Sequence, residues 1–150
     1  MISAVTDDFS RVIGMEVYEK SYKGLVLWLL GYTAALVLCM FAPFEDEGLL
    51  VRLTLNVTWC AIAVLCWMMV RNERIYWING VTFEQAKRAT SDQRREFAEK
   101  HFRKFGKCAL ICLAFSAVAQ LIGLHFVFDI LVETIYLIVV AISTIKIKLE

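Results

Sequence analysis

Charge is nearly absent from three stretches of the chain, residues 25–44, 53–70 and 108–145. A helix that crosses a bilayer needs roughly 20 apolar residues, because each residue rises about 1.5 Å through a hydrocarbon core about 30 Å thick. The first two stretches fit one crossing each. The third is close to twice that length and predicts two crossings with a tight reversal, for which Gly123 is the punctuation. The pattern therefore predicts four transmembrane helices, at 24–44, 50–71, 107–123 and 126–146, in one all-α integral membrane domain spanning 1–150. Pro43 is expected to close the first of them.

Between the second and third crossings lies a polar linker, 72–106, with its own helical signals. Tyr76 and Trp77 have the amphipathic character of membrane-interface anchors, and Asn79-Gly80 reads as a turn. Thr82 with Gln85 and Thr90 with Gln93 each fit a capping box. Two helices are expected, about 83–89 and 91–105. On the second, Phe97, Ala98, His101, Phe102 and Phe105 share an apolar face, while Arg94, Arg95, Lys100, Arg103 and Lys104 lie mostly elsewhere. That amphipathic pattern predicts a helix lying on an anionic membrane surface, with Arg94, Arg95, Lys100, Arg103, Lys104, Phe97, Phe102 and Phe105 as its contacts. The N-terminal segment, 1–23, predicts another amphipathic helix on Phe9, Val12, Ile13 and Val17, followed by interface tyrosines Tyr18 and Tyr22. Its acids and its lack of an apolar core argue against a cleaved signal segment.

Composition agrees with the pattern: 59% of residues are hydrophobic and the mean hydropathy is +0.62, against about 45–50% apolar residues in ordinary soluble domains. The net charge of +1 conceals a segregation. Fifteen of the sixteen Lys and Arg residues fall before the first crossing, in the linker and the crossing ends that flank it, or at and after the end of the fourth; Arg52 is the exception. The positive-inside rule then puts both termini and the linker in the cytoplasm. Basic residues beside membrane spans follow from topology, so no nucleic-acid partner is expected. The expected partners are an anionic inner leaflet and either a second copy of the chain or another membrane protein.

Five cysteines lie in the predicted crossings without CxxC or His at ligand spacing, and read as small buried apolar residues. No metal or cofactor is expected. Sequence signatures of hydrolases, zinc peptidases and nucleotide-binding loops are missing, and the chain is read as non-enzymatic.

The chemistry-bearing residues sit in the crossings. His125, Asp129 and Glu133 follow at i, i+4 and i+8, within about 80° of helix circumference. Arg52 and Asn56 share a face of the second crossing at a matching depth, and Gln120 lies one turn before the reversal. This candidate cluster of Arg52, Asn56, Gln120, His125, Asp129 and Glu133 supports two readings. In one, His125 belongs to the turn, Asp129 caps the fourth helix, Glu133 occupies its first turn, and Arg52 is the counter-ion of both acids. In the other, acids within a membrane span mark an ion or ligand path. The far half of the bundle carries only hydroxyls and thiols, which weighs against a continuous path.

The stretch "YWINGVTFEQAKRATSDQRREFAEKHFRKFGK", with Gly80 in the turn and Lys104 to Lys107 leading into the next crossing, resembles the inter-helix segment of small uncharacterised bacterial multi-span membrane proteins. The layout is also similar to that of membrane immunity proteins, which protect producers from a secreted peptide toxin, although their loop motifs are missing. The resemblance implies a bacterial inner membrane. The combined expectation is a small membrane protein acting through helix–helix or partner contacts, immunity-like, regulatory or accessory. The alternative is a small oligomeric transporter or channel using Asp129 and Glu133.

Overall fold

A computed structural model describes residues 18–41, 43, 46–78 and 80–149. The amphipathic helix expected before Tyr18 lies outside the described residues. The helices are α1 (Lys23–Met40), α2 (Glu47–Asn72), a 3-10 turn (Ile75–Trp77), α3 (Phe83–Arg88), α4 (Ser91–Leu121) and α5 (Val127–Ile145), with no strand among the described residues. Four of them, α1, α2, α4 and α5, are long and apolar enough to cross a membrane. They pack as a row: α1 rests on α2, α2 packs most extensively on α4, and α4 on α5, with α5 also touching α2.

Local chemistry sets the ends. α2 begins three residues before the expected 50 because Asp46 caps it, its carboxylate accepting the Gly48 N–H at 2.8 Å. α2 stops where Glu73 turns left-handed, at φ 56°. Both capping boxes form: Thr82 with Gln85 opens α3, and Thr90 with Gln93 opens α4. Gly123 adopts φ 69° after α4, and the Leu124 N–H reaches back to the Ala119 carbonyl at 2.8 Å. That bond closes a Schellman turn, which calls for glycine at the left-handed position. α1 ends at Met40, ahead of Pro43.

One boundary differs from expectation. Residues 91–105 are not a separate surface helix; they are the first part of α4, which runs unbroken from Ser91 to Leu121. Gly106 stands at the expected break, but a glycine inside a helix costs only about 1 kcal/mol relative to alanine. With no proline nearby and capping only at Thr90, the helix propagates into the apolar stretch.

The aromatic face of that extension is consequently used within the protein. Phe97 and Ala98 join Met69, Ile75, Tyr76 and Ala86 in a buried cluster, flanked by Tyr18, Phe83, Ile147 and Leu149. Phe105 packs against a second cluster, made of Trp59, Cys108, Ala109 and Cys112. Arg94 is buried as well. Its guanidinium pairs with Glu73 at 2.8 Å, donates to the Ala89 carbonyl at 2.6 Å, and stacks over the Tyr18 ring at 4.2 Å. Arg94 and Phe97, expected on the membrane-facing surface, are thus buried within the described residues, where they pack α4 against Glu73 and the end of α2. Arg95, Lys100 and Arg103 remain exposed, and Phe102 is half-buried. Lys104 reaches α5, where its ammonium donates to the Ser143 carbonyl at 2.6 Å.

Candidate functional site at the turn between α4 and α5

Arg52 sits one and a half turns into α2, on the side that faces α4 and α5. Its Nε donates to Asp129 Oδ2 at 2.9 Å. One terminal nitrogen donates to Gln120 Oε1 and the other to the Leu124 carbonyl. A single planar guanidinium thereby holds the last turn of α4, the reversal and the first turn of α5. The fork geometry of arginine suits such a three-way grip, which a lysine ammonium could not reproduce. The pair is shielded from solvent, with side-chain exposures of 8% for Arg52 and 0% for Asp129. Close approach is secured by Gly48: a Cβ there would stand 3.2 Å from the ring of Phe126 in the reversal.

The polar line continues along α2. Asn56, one turn on, donates from Nδ2 to Ser116 Oγ of α4 at 3.1 Å. Trp59, the next residue on that face, donates its indole N–H to Glu133 Oε2 at 2.8 Å. Glu133 is 3% exposed and sits a turn beyond Asp129, so the acids have separate partners. Arg52 serves Asp129, and Trp59 serves Glu133. Three buried oxygens along the line accept no hydrogen bond: Asn56 Oδ1, Asp129 Oδ1 and Glu133 Oε1.

The structure thus brings Arg52, Asn56, Gln120, Asp129 and Glu133 into one polar line, buried at Arg52, Asp129 and Glu133, half-buried at Asn56 and exposed at Gln120, and excludes His125. That residue precedes α5, is exposed, stacks on Phe126 at 4.5 Å, and accepts from the Val127 N–H at 3.4 Å. The i, i+4 spacing failed for His125 because α5 starts only at Val127, and helical phase does not extend into the turn. Asp129 does not cap α5 either. Phe126 holds the cap position, and Asp129 lies in the first turn.

Residues missed by sequence reasoning complete the line. Trp59 lies seven positions after Arg52 and shares its face, a signal present in the spacing. Ser116 lies one turn before Gln120. The Leu124 carbonyl, a backbone group presented by the Schellman turn, had no side-chain signal.

At the opposite end, two groups outside the apolar helix segments have perturbed titration. Burial pushes the Tyr18 phenol above its ordinary value, opposed by the nearby Arg74 and Arg94 guanidinium groups. Burial pushes His101 below the ordinary histidine value, opposed by its bond to the Phe97 carbonyl at 3.0 Å. His101 also lines a cavity of about 810 Å³ with Gln85, Phe97, Ile142 and Lys148. Neither acid of the polar line borders it.

A second concavity, about 560 Å³, opens between α1 and α2, lined by Gly31, Ala35, Cys60, Ala61 and Val64 among others. The two helices are joined around it by the Trp28 indole, which donates to the Ala61 carbonyl at 2.8 Å, and by Tyr32 with Thr58 at 3.0 Å. A Cβ added at Gly31 would meet nothing within 4 Å, so this face of α1 is not filled by the described residues.

The chain matches no protein-family model, no curated protein and no solved structure. Among the described residues no group of three or more His, Cys, Asp or Glu is arranged to hold a metal ion.

Proposed function

We propose that this chain is a small non-enzymatic membrane protein of a bacterial inner membrane, acting by contact with another transmembrane helix as an immunity-like, regulatory or accessory subunit. The unfilled groove between α1 and α2 carries this reading. In a bilayer, helices associate through close packing of small residues, since the lipid is as apolar as the side chains. Gly31, Ala35 and Ala61 offer that kind of surface, and among the described residues nothing fills the space beside Gly31. The polar line favours contact over transport. Its arginine is tied at three points, its acids have partners within the bundle, and neither acid lines either of the two cavities described above. Both termini and the linker are assigned to the cytoplasm because fifteen of the sixteen basic residues fall on that side. The exposed Arg95, Lys100 and Arg103 of α4 would then stand near an anionic leaflet.

The test is photo-crosslinking in native membranes from a reactive side chain at Val64, in the groove, with and without Ala35→Leu. A discrete protein adduct, heterologous or twice the mass of the chain, that Ala35→Leu abolishes is the expected result. Lipid adducts alone, or a protein adduct indifferent to the filled groove, would remove the contact reading.

A further inference from the structure

We propose that the interior of the polar line is a proton-binding site, in which Glu133 carries one proton on Oε1 and donates it to an unpartnered oxygen beside it, Asp129 Oδ1 foremost. The site goes beyond the contact reading and does not depend on it.

Charge and hydrogen-bond accounting both lead there. The formal charges meeting at the line are one guanidinium, Arg52 from α2, and two carboxyl groups, Asp129 and Glu133 from α5. The other groups facing the acids are uncharged: Asn56 and the Trp59 indole from α2, and Ser116, Gln120 and the Cys108 and Cys112 thiols from α4. With both carboxyl groups ionised, the line would hold one surplus negative charge. Both acids are at least nine-tenths buried, Asp129 at 0% and Glu133 at 3% exposure. An uncompensated ionised carboxylate in an apolar interior is so unfavourable that such groups ordinarily neutralise.

The hydrogen bonds show the same deficit in donors. Asn56 Oδ1, Asp129 Oδ1 and Glu133 Oε1 are three buried acceptors without a donor. One proton on Glu133 supplies a donor and cancels the surplus charge together. Carboxyl groups four residues apart on a helix lie on one face, with Cβ atoms about 5–6 Å apart, within reach of a shared proton. Glu133 is the group that carries it because Asp129 already pairs with the Arg52 guanidinium at 2.9 Å, a cation that Glu133 does not contact. The bond from the Trp59 indole is no obstacle: it engages Oε2, which stays an acceptor whether or not Oε1 is protonated. A monovalent cation on the same oxygens would satisfy the same charge, and the experiment separates the two.

The full chain is reconstituted in phosphatidylcholine vesicles and followed by infrared difference spectroscopy across a pH titration, in choline chloride and in sodium chloride. At neutral pH, where exposed Asp and Glu are ionised, a protonated-carboxyl C=O band is expected. It should vanish on alkalinisation, be indifferent to sodium, and shift when glutamate carbons alone carry ¹³C. The label leaves the fold untouched, so the assignment does not rest on a variant. Glu133→Gln, which mimics the protonated side chain, should remove the band. It should also abolish the fall in thermal midpoint that wild type shows as pH rises. No band at neutral pH, a band unmoved by labelled glutamate, or a band that sodium displaces at constant pH would each overturn the proposal.

Discussion

Replacing Arg52 with methionine removes the single cation of the polar line while keeping a side chain of similar length and apolar stem. The loss can be sized from what is stranded. Asp129 is fully buried, and its only bonded oxygen is the one that accepts from Arg52. Breaking a buried ion pair by deleting one partner typically costs about 3–5 kcal/mol, because the remaining charge is left uncompensated. The bonds to Gln120 and Leu124 go too, but interhelical hydrogen bonds in membrane proteins average only about 0.6 kcal/mol each. The charge therefore dominates, and Arg52→Met should destabilise by about 3–5 kcal/mol. Asp129→Asn leaves Arg52 two acceptors and should cost less, about 1–3 kcal/mol. In the double variant no buried charge is stranded. Its loss should fall short of the sum of the single losses by up to about 3 kcal/mol. Equilibrium unfolding in mixed micelles, titrated with sodium dodecyl sulfate and followed by tryptophan fluorescence, measures all three. A loss below about 1 kcal/mol for Arg52→Met, as for an exposed pair, would refute the reasoning. So would additivity to within about 0.5 kcal/mol.

His101 binds its proton more weakly in the folded protein than in the unfolded chain, because burial disfavours the imidazolium. The unfolded state then takes up more protons, so stability is lost as pH falls through the ordinary value of about 6.5 toward the lowered one, and His101→Gln should flatten that part of the midpoint-versus-pH curve. At Gly24 a Cβ would stand 2.6 Å from the Trp77 ring, a rigid group, so Gly24→Ala should destabilise by about 1–3 kcal/mol in the same unfolding assay. Gly31→Ala, facing open space, should be neutral or stabilising by up to about 1 kcal/mol; equal effects at the two glycines would contradict the packing described.

The four long helices were legible because their evidence is local: uncharged stretches of the right length, capping residues at Thr82 and Thr90, and a glycine at the reversal. The partnership of Arg52 with Asp129 could be anticipated because two polar positions at matching depth in apolar helices have few alternatives. What escaped the sequence depended on tertiary context. Glu133 and Trp59 pair because α5 leans on α2 at one rotation, and an indole among apolar residues does not announce its N–H. Periodicity shows that Phe97 and Ala98 seek an apolar surface, and only packing shows that Met69 at the end of α2, with Ile75, Tyr76 and Ala86, provides one. His125 lies in the turn, as the structural reading of the stripe has it; only the reading that extends helical phase back across the turn places it with the acids.

The continuity of α4 has a mechanical consequence. Arg94 joins it to Glu73 at one end of α2, and Arg52 joins it to Gln120 at the other, the two fastenings lying roughly 30 Å apart along α2 at about 1.5 Å per residue. Two separated pins on one rod oppose both sliding and rotation: moving α4 by a single residue against α2 would break both junctions together. The pair therefore behaves as a stiff spar, and with α5 also tied to α2 through Arg52–Asp129 and Trp59–Glu133, a change of shape among the described helices falls most easily to α1.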